Sequence, residues 1–154
     1  MGEILDAVLR EYRPSSRFLV SAKQNQEDTL IGTFEVPETG LALVNVGVLE
    51  ISELKLCADQ LLSYALRKLV ELGNLADIDL INSFERKVSI NVKNPIKRKK
   101  TYFGDMMSIE ARDGGTIWLV HSEFSLFEED PESEAIARVG ISKAFAKIEK
   151  KSKL

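Results

Sequence analysis

The feature that most limits what this chain can fold into is residues 51–73, ISELKLCADQLLSYALRKLVELG, a helix-compatible run too apolar for a surface helix. Leu54, Ala58, Leu61, Ala65 and Leu69 recur at helical spacing with Leu72 three positions on, and Leu62, Leu66 and Val70 make a second apolar row beside them. Lys55, Asp59, Ser63 and Arg67 step by four and leave only a narrow polar stripe. A helix that is apolar around most of its circumference must be wrapped by other elements. Ser52 suits a cap at its start, Glu53 falls in the first turn, and Gly73 suits its end.

The rest of the chain reads as wrapping. Residues 3–12 form a short amphipathic helix, with Ile4, Leu5, Val8 and Leu9 on one side, stopped by Pro14. Residues 17–24 and 29–36 read as two strands around a turn at 25–28. Phe18, Val20 and Ala22 share one face of the first; Leu30, Phe34 and Val36 share one face of the second. Residues 37–40 break the second strand, and 41–48 are a short apolar approach to the long helix. Residues 74–86 read as a short helix or a loop. Strands follow at 87–93, 101–112, 116–127 and 134–145, with a turn or bulge at Asn94-Pro95 and a hairpin turn at Asp113-Gly114-Gly115. Trp118, Val120, Phe124 and Leu126 fall on one face, 128–133 are an acidic loop, and 146–154 are a basic tail. An antiparallel sheet curling around one apolar helix is an α+β hot-dog fold; the alternative is a general α+β sandwich. One domain over residues 1–154 is expected from the length. A homodimer or higher even oligomer is expected because such a sheet leaves an edge and one helix end to cover.

Charge and composition exclude several classes. A net charge of -3 does not favour nonspecific nucleic-acid binding. The single cysteine, Cys57, rules out an intrachain disulfide framework and a cysteine-based zinc site, and its place in the long helix marks it as core packing. The single histidine, His121, rules out a His-rich metal site within one chain. No run approaches transmembrane length and the start MGEILDAVLREY lacks a secretory pattern, so a cytoplasmic protein without membrane insertion is expected. Walker, G-x-S-x-G, metal-binding and dinucleotide motifs are all missing.

Chemistry is therefore sought at the start of the long helix and along its polar stripe. Gly47 would let a ligand approach the backbone, and free N–H groups at a helix N-terminus favour developing negative charge, as an oxyanion hole for a thioester carbonyl requires. Glu50, Glu53 and Asp59 are the carboxylates in reach for a general base. Two of them have a simpler reading as well: Glu53 stabilises a first turn by charge alone, and Asp59 pairs with Lys55 four residues back. His121 and Glu123 fall on the face opposite Trp118 and Phe124, which suits a strand-surface or dimer-contact histidine. The run 93–100, KNPIKRKK, holds five basic residues and no acids. It is either a charged edge that blocks strand addition or an attractor of phosphate.

Two stretches carry a resemblance beyond pattern. Residues 3–12 followed by Arg17-Phe18-Leu19-Val20, and Gly47 followed by Glu53-Leu54, Leu56-Cys57, Asp59-Gln60-Leu61, Tyr64 and Ala65, resemble the type III fatty acyl-CoA thioesterases, the FcoT-like hot-dog family. The resemblance implies a hot-dog protein acting on long acyl thioesters, with polar residues around the start of the helix forming the site. Tyr12 matches a site tyrosine of that family; Ala42 stands where the family has a second tyrosine, and Glu50 and Asp59 where it has asparagines. An amide only hydrogen-bonds, whereas a carboxylate also takes a proton. The expected function is hydrolysis of fatty acyl-CoA or acyl-carrier-protein thioesters, with no cofactor beyond the coenzyme A or phosphopantetheine of the substrate. Asp59, Glu50 and Tyr12 are the expected catalytic residues, and Asn45, Gly47, Val48, Glu53, Gln60, Lys97 and Arg98 the expected substrate contacts. The alternatives are a thioester lyase, dehydratase or transferase on carrier-bound chains, and a non-catalytic acyl-binding protein.

Overall fold

The computed structural model describes residues 2–24, 29–37, 51–98, 100–128 and 134–148. In chain order they form helix α1 (Glu3–Arg10), a 3-10 turn at Pro14–Ser16, strands β1 (Leu19–Gln24) and β2 (Leu30–Val36), helix α2 (Ile51–Glu71), and strands β3 (Ile78–Val92), β4 (Lys100–Asp113), β5 (Ile117–Phe127) and β6 (Ala137–Lys147). The described strands make one curved six-stranded sheet in the order β1-β2-β4-β5-β6-β3, antiparallel at every junction. Helix α2 lies against it, touching β1, β2, β3, β4 and β6. This is the hot-dog fold.

The two apolar rows of α2 explain the arrangement. Leu54, Leu61, Leu62 and Leu66 are all buried, in one cluster with Phe34, Tyr102, Phe124 and Ile141 from the sheet. Burying side chains of this size contributes about 1.5–3 kcal/mol each. Cys57 is buried in the same cluster, and burial pushes its thiol pKa up, so it is an inert packing residue. The helix ends at Gly73, whose φ of 89° only glycine adopts without strain. Gly73 N–H donates to Val70 C=O at 3.0 Å and Asn74 N–H to Leu69 C=O at 2.9 Å, which closes the last turn as a Schellman motif.

A glycine pair sets how closely the helix seats. Gly32 on β2 lies opposite Gly104 on β4. A Cβ on Gly104 would meet the rings of Phe34 and Phe124 at 2.5 Å, and one on Gly32 would meet Leu61 at 3.0 Å and Leu19 at 2.9 Å. Those two rings are packed edge to face at 5.7 Å. Gly104→Ala is therefore expected to overpack the core and cost about 1–3 kcal/mol, read as a lowered midpoint in urea at unchanged slope.

Several boundaries differ from the sequence expectation. Strand β3 starts at Ile78, so most of the segment expected as a short helix or loop is strand. Its pairing with β6 shifts between Ile78 and Ser83 and again between Glu85 and Lys87. In the first shift the Asp79 carboxylate accepts from the N–H groups of Ile81 and Asn82 and from the Asn82 amide, a local turn that scrambles the alternation. On β1 the expected inward face is corrected: a bulge between Leu19 and Ser21 leaves Val20 exposed and buries Leu19. Ser52 lies inside α2 rather than ahead of it, and β6 runs from Ala137 to Lys147 instead of 134–145. The turn at 25–28, the approach at 41–48 and most of the acidic loop lie outside the described residues. Among the described residues no helix is long and apolar enough to cross a membrane.

Candidate functional site

The polar stripe of α2 is where charge enters the fold. Lys55, Asp59, Ser63 and Arg67 lie one turn apart, and each meets a group from another element or from its own row. Arg67 pairs with Glu11 at the end of α1. The Tyr12 hydroxyl hydrogen-bonds Ser63. Lys55 bridges Glu85 of β3 and Asp59, the latter at 3.2 Å. Lys143 of β6 approaches Asp59 Oδ1 at 3.0 Å. Burial lowers the Lys55 pKa, but Glu85 and Asp59 together hold it above its ordinary value.

Asp59 is buried, and both its oxygens face lysine ammonium groups. Oδ1 nevertheless accepts no hydrogen bond with proper geometry, since its contact with Lys143 is an ion pair only. Next to its partner Lys143 opens a cleft of about 360 Å³, whose lining does not include Asp59 itself. Glu11, Tyr12, Ser63, Arg67, Ser83 and Lys143 give this cleft polar walls, and Leu62, Leu66, Leu80, Ile81 and Phe145 line the rest. Burial first, and the Asp59 carboxylate second, push the Tyr12 pKa up to about 12. The phenol therefore keeps its proton at neutral pH and serves as a hydrogen-bond donor.

Three expected substrate contacts are corrected by this geometry. Gln60 is fully buried and its amide serves the chain itself. Its Oε1 accepts from the N–H groups of Phe18 and Leu19 at 3.0 Å each, and its Nε2 donates to Ser16 C=O at 2.6 Å. It fixes the start of β1 to the middle of α2 and is out of a ligand's reach. Glu53 and Arg98 form a bidentate ion pair with side chains 0% and 4% exposed, Arg98 Nη1 lying 3.1 Å from Glu53 Oε2. Arg98 Nη1 also donates to Pro37 C=O at 3.5 Å. Turned inward, Arg98 is not a phosphate contact. Lys93 and Lys100 of the same basic run pair with Glu134 and Glu128. Lys97 is exposed, and its carbonyl accepts from the Tyr102 hydroxyl at 3.1 Å. Asn45, Gly47, Val48 and Glu50 lie outside the described residues.

The helix tip and Asp59 also fall apart. Ile51 and Asp59 are eight positions apart on α2, about 12 Å along the axis, so one protomer's tip and Asp59 do not share a carbonyl. Besides Lys55 and Lys143, the Tyr12 phenol is a donor close enough to feel the Asp59 charge in the same protomer. Lys143 was missed by sequence reasoning, although a lysine between Ile141 and Phe145, on an otherwise apolar row of β6, signals a buried charge that needs a partner.

With this geometry in place, known proteins can be set beside the chain. No protein-family profile matches it, and no curated protein matches it in sequence. Its structure is similar to those of thioesterase-superfamily hot-dog proteins at low identity. A mutant thioesterase from Pseudomonas aeruginosa aligns with TM-score 0.62 and 13% identity over 96% of each chain. A hypothetical thioesterase from Streptococcus pneumoniae, solved with coenzyme A, aligns with TM-score 0.51 and 13% identity over 84% of this chain and 88% of that one. A Streptococcus mutans protein bound to acetyl-CoA aligns with TM-score 0.50 and 20% identity over 92% and 98% of the two chains. At these identities the likeness establishes the fold.

Proposed function

We propose that this protein hydrolyses fatty acyl thioesters, in the manner implied by its resemblance to the type III fatty acyl-CoA thioesterases. The observation that carries the reading is the buried Asp59 carboxylate, whose Lys143 partner lines a cleft together with Tyr12 and several apolar side chains. The acyl tail lies along Leu62, Leu66, Leu80 and Phe145. The Tyr12 hydroxyl donates to the thioester oxygen, and Asp59 takes a proton from the attacking water. The water oxygen bonds to the carbonyl carbon, the C–S bond breaks, and the departing thiolate takes the proton from Asp59. Coenzyme A as the thiol is supported by the two streptococcal structures that hold it or its acetyl ester.

The reading includes a homodimer. Strand β3 is a sheet edge that exposes Ile81 at 81% and Phe84 at 60%. Pairing of two β3 edges about a two-fold axis covers both. Sedimentation is expected to show a dimer that Phe84→Asp dissociates; a monomeric wild-type protein would remove this part of the reading.

The test is incubation with a panel of acyl-CoA and acyl-carrier thioesters of graded chain length, followed by mass spectrometry. Free acid and free thiol are the expected products. An enoyl thioester would assign a dehydratase instead, and no change in any thioester would reject the hydrolase. A second reading, a non-catalytic acyl-binding protein, is favoured by the two lysines that flank Asp59, because both its oxygens are already engaged in ion pairs. It predicts retention of the acyl thioester by the protein without turnover.

A further inference from the structure

The outer face of the sheet carries a second constellation, away from the α2 cleft. His121 on β5 lies directly opposite Ser142 on β6. His121 Nδ1 is 2.7 Å from Ser142 Oγ, and His121 Nε2 is 2.6 Å from Glu123 Oε1. The direction of each bond follows from the groups. An ionised carboxylate only accepts, so in the neutral ring Nε2 carries the proton and donates to Glu123. Nδ1 is then a bare lone pair, and the Ser142 hydroxyl must donate to it. A serine O–H pointed at an imidazole whose far side is held by a carboxylate is the arrangement that activates a nucleophile.

Two further features show that the arrangement is accommodated by its surroundings. Gly140 faces Glu123 across the β5–β6 ladder, and a Cβ there would lie 3.2 Å from both carboxylate oxygens, so the glycine leaves Glu123 room to reach the ring. His121 and Ser142 also line a depression of about 190 Å³ together with Arg86, Arg112 and Glu110. Arg86 is the extra residue of the bulge between Glu85 and Lys87. Two guanidinium groups give the depression donors for an oxyanion or an anionic substituent.

We propose that Ser142 is an activated nucleophile toward small anionic carboxylic esters, with His121 as general base and Glu123 as its positioning residue. Ser142 Oγ bonds to the carbonyl carbon while its proton passes to His121 Nδ1, and the carbonyl π pair moves onto oxygen beside the guanidinium groups. The C–O bond to the leaving group breaks, and the departing alkoxide takes the proton from Nδ1. Water then cleaves the acyl-serine by the same route, its proton returning through His121 to Ser142 Oγ. The products are one acid and one alcohol.

The test is reaction of the full-length protein with a fluorophosphonate, in which Ser142 Oγ displaces fluoride at phosphorus, read by intact mass and peptide mapping. Wild type is expected to be labelled at Ser142, and Ser142→Ala to lose that label. The near-isosteric Glu123→Gln removes the group that fixes the tautomer and is expected to slow labelling by roughly tenfold or more at unchanged thermal midpoint. Ser89→Ala, exposed on β3 and part of neither constellation, is expected to be labelled at the wild-type rate. An unlabelled Ser142 in wild type, or Glu123→Gln labelled at the wild-type rate, would overturn the proposal. So would a label mapped to Ser63 instead of Ser142, which would assign the reactivity to the cleft.

Discussion

Asp59→Asn is expected to lower kcat for acyl thioester hydrolysis by roughly 10²- to 10⁴-fold, the range over which a positioned general base acts. The amide keeps the shape and the hydrogen-bonding reach of the carboxylate but takes no proton from water at neutral pH. Because proton transfer belongs to the transition state, kcat and kcat/KM should fall together while KM holds. The substitution has a structural effect too: it leaves Lys55 and Lys143 facing an amide instead of a charge. A thermal midpoint measured on the same sample separates the two effects. If Asp59 only holds the lysines, the midpoint drops while the folded fraction turns over at the wild-type rate, and that result would rule out the base.

Arg98→Ala is expected to destabilise the protein by about 3–5 kcal/mol, because it takes the bidentate guanidinium partner from the buried Glu53 carboxylate. Neither partner of that pair has appreciable solvent exposure, so water cannot replace the lost guanidinium. For a chain of this size the drop corresponds to roughly 6–20 °C in Tm. Replacing both partners, as in Glu53→Leu with Arg98→Met, is expected to recover most of the loss, since the desolvation of two charges disappears with their attraction. A single Arg98→Ala within about 1 kcal/mol of wild type would contradict the buried pair. The pair joins the first turn of α2 to the segment before β4, which makes Glu53 a fastener of the helix start and removes it from the candidate bases.

Local signals in the chain carried most of the architecture. Helix α2 was legible because two apolar rows at a spacing of three and four leave no other solution than burial, and β5 because Val120, Phe124 and Leu126 alternate without interruption. The first half of β3 was illegible because Asp79 builds a turn inside it and the register then shifts twice. The inward face of β1 was misread because one bulged residue, Val20, inverts the alternation. In the site, the stripe of Lys55, Asp59, Ser63 and Arg67 was visible at helical spacing, but its partners were not. Lys143 and Glu85 arrive from strands distant in sequence, and which residue faces Asp59 depends on strand order and register. Gln60 had the look of a ligand-binding amide, and only the fold shows that the start of β1 uses it. The partnership of His121 with Ser142 depends on the same register.

Ser142 and Lys143 are neighbours in the chain, yet the Ser142 hydroxyl meets His121 and the Lys143 ammonium meets Asp59. Strand pleating accounts for this: consecutive side chains point to opposite sides of a sheet. A slip of β6 by a single residue would bring a hydroxyl to the carboxylate and an ammonium to the imidazole. Both chemistries thus hang on one alignment, and a substitution that loosens the β5–β6 seam should silence the two together even when it touches neither.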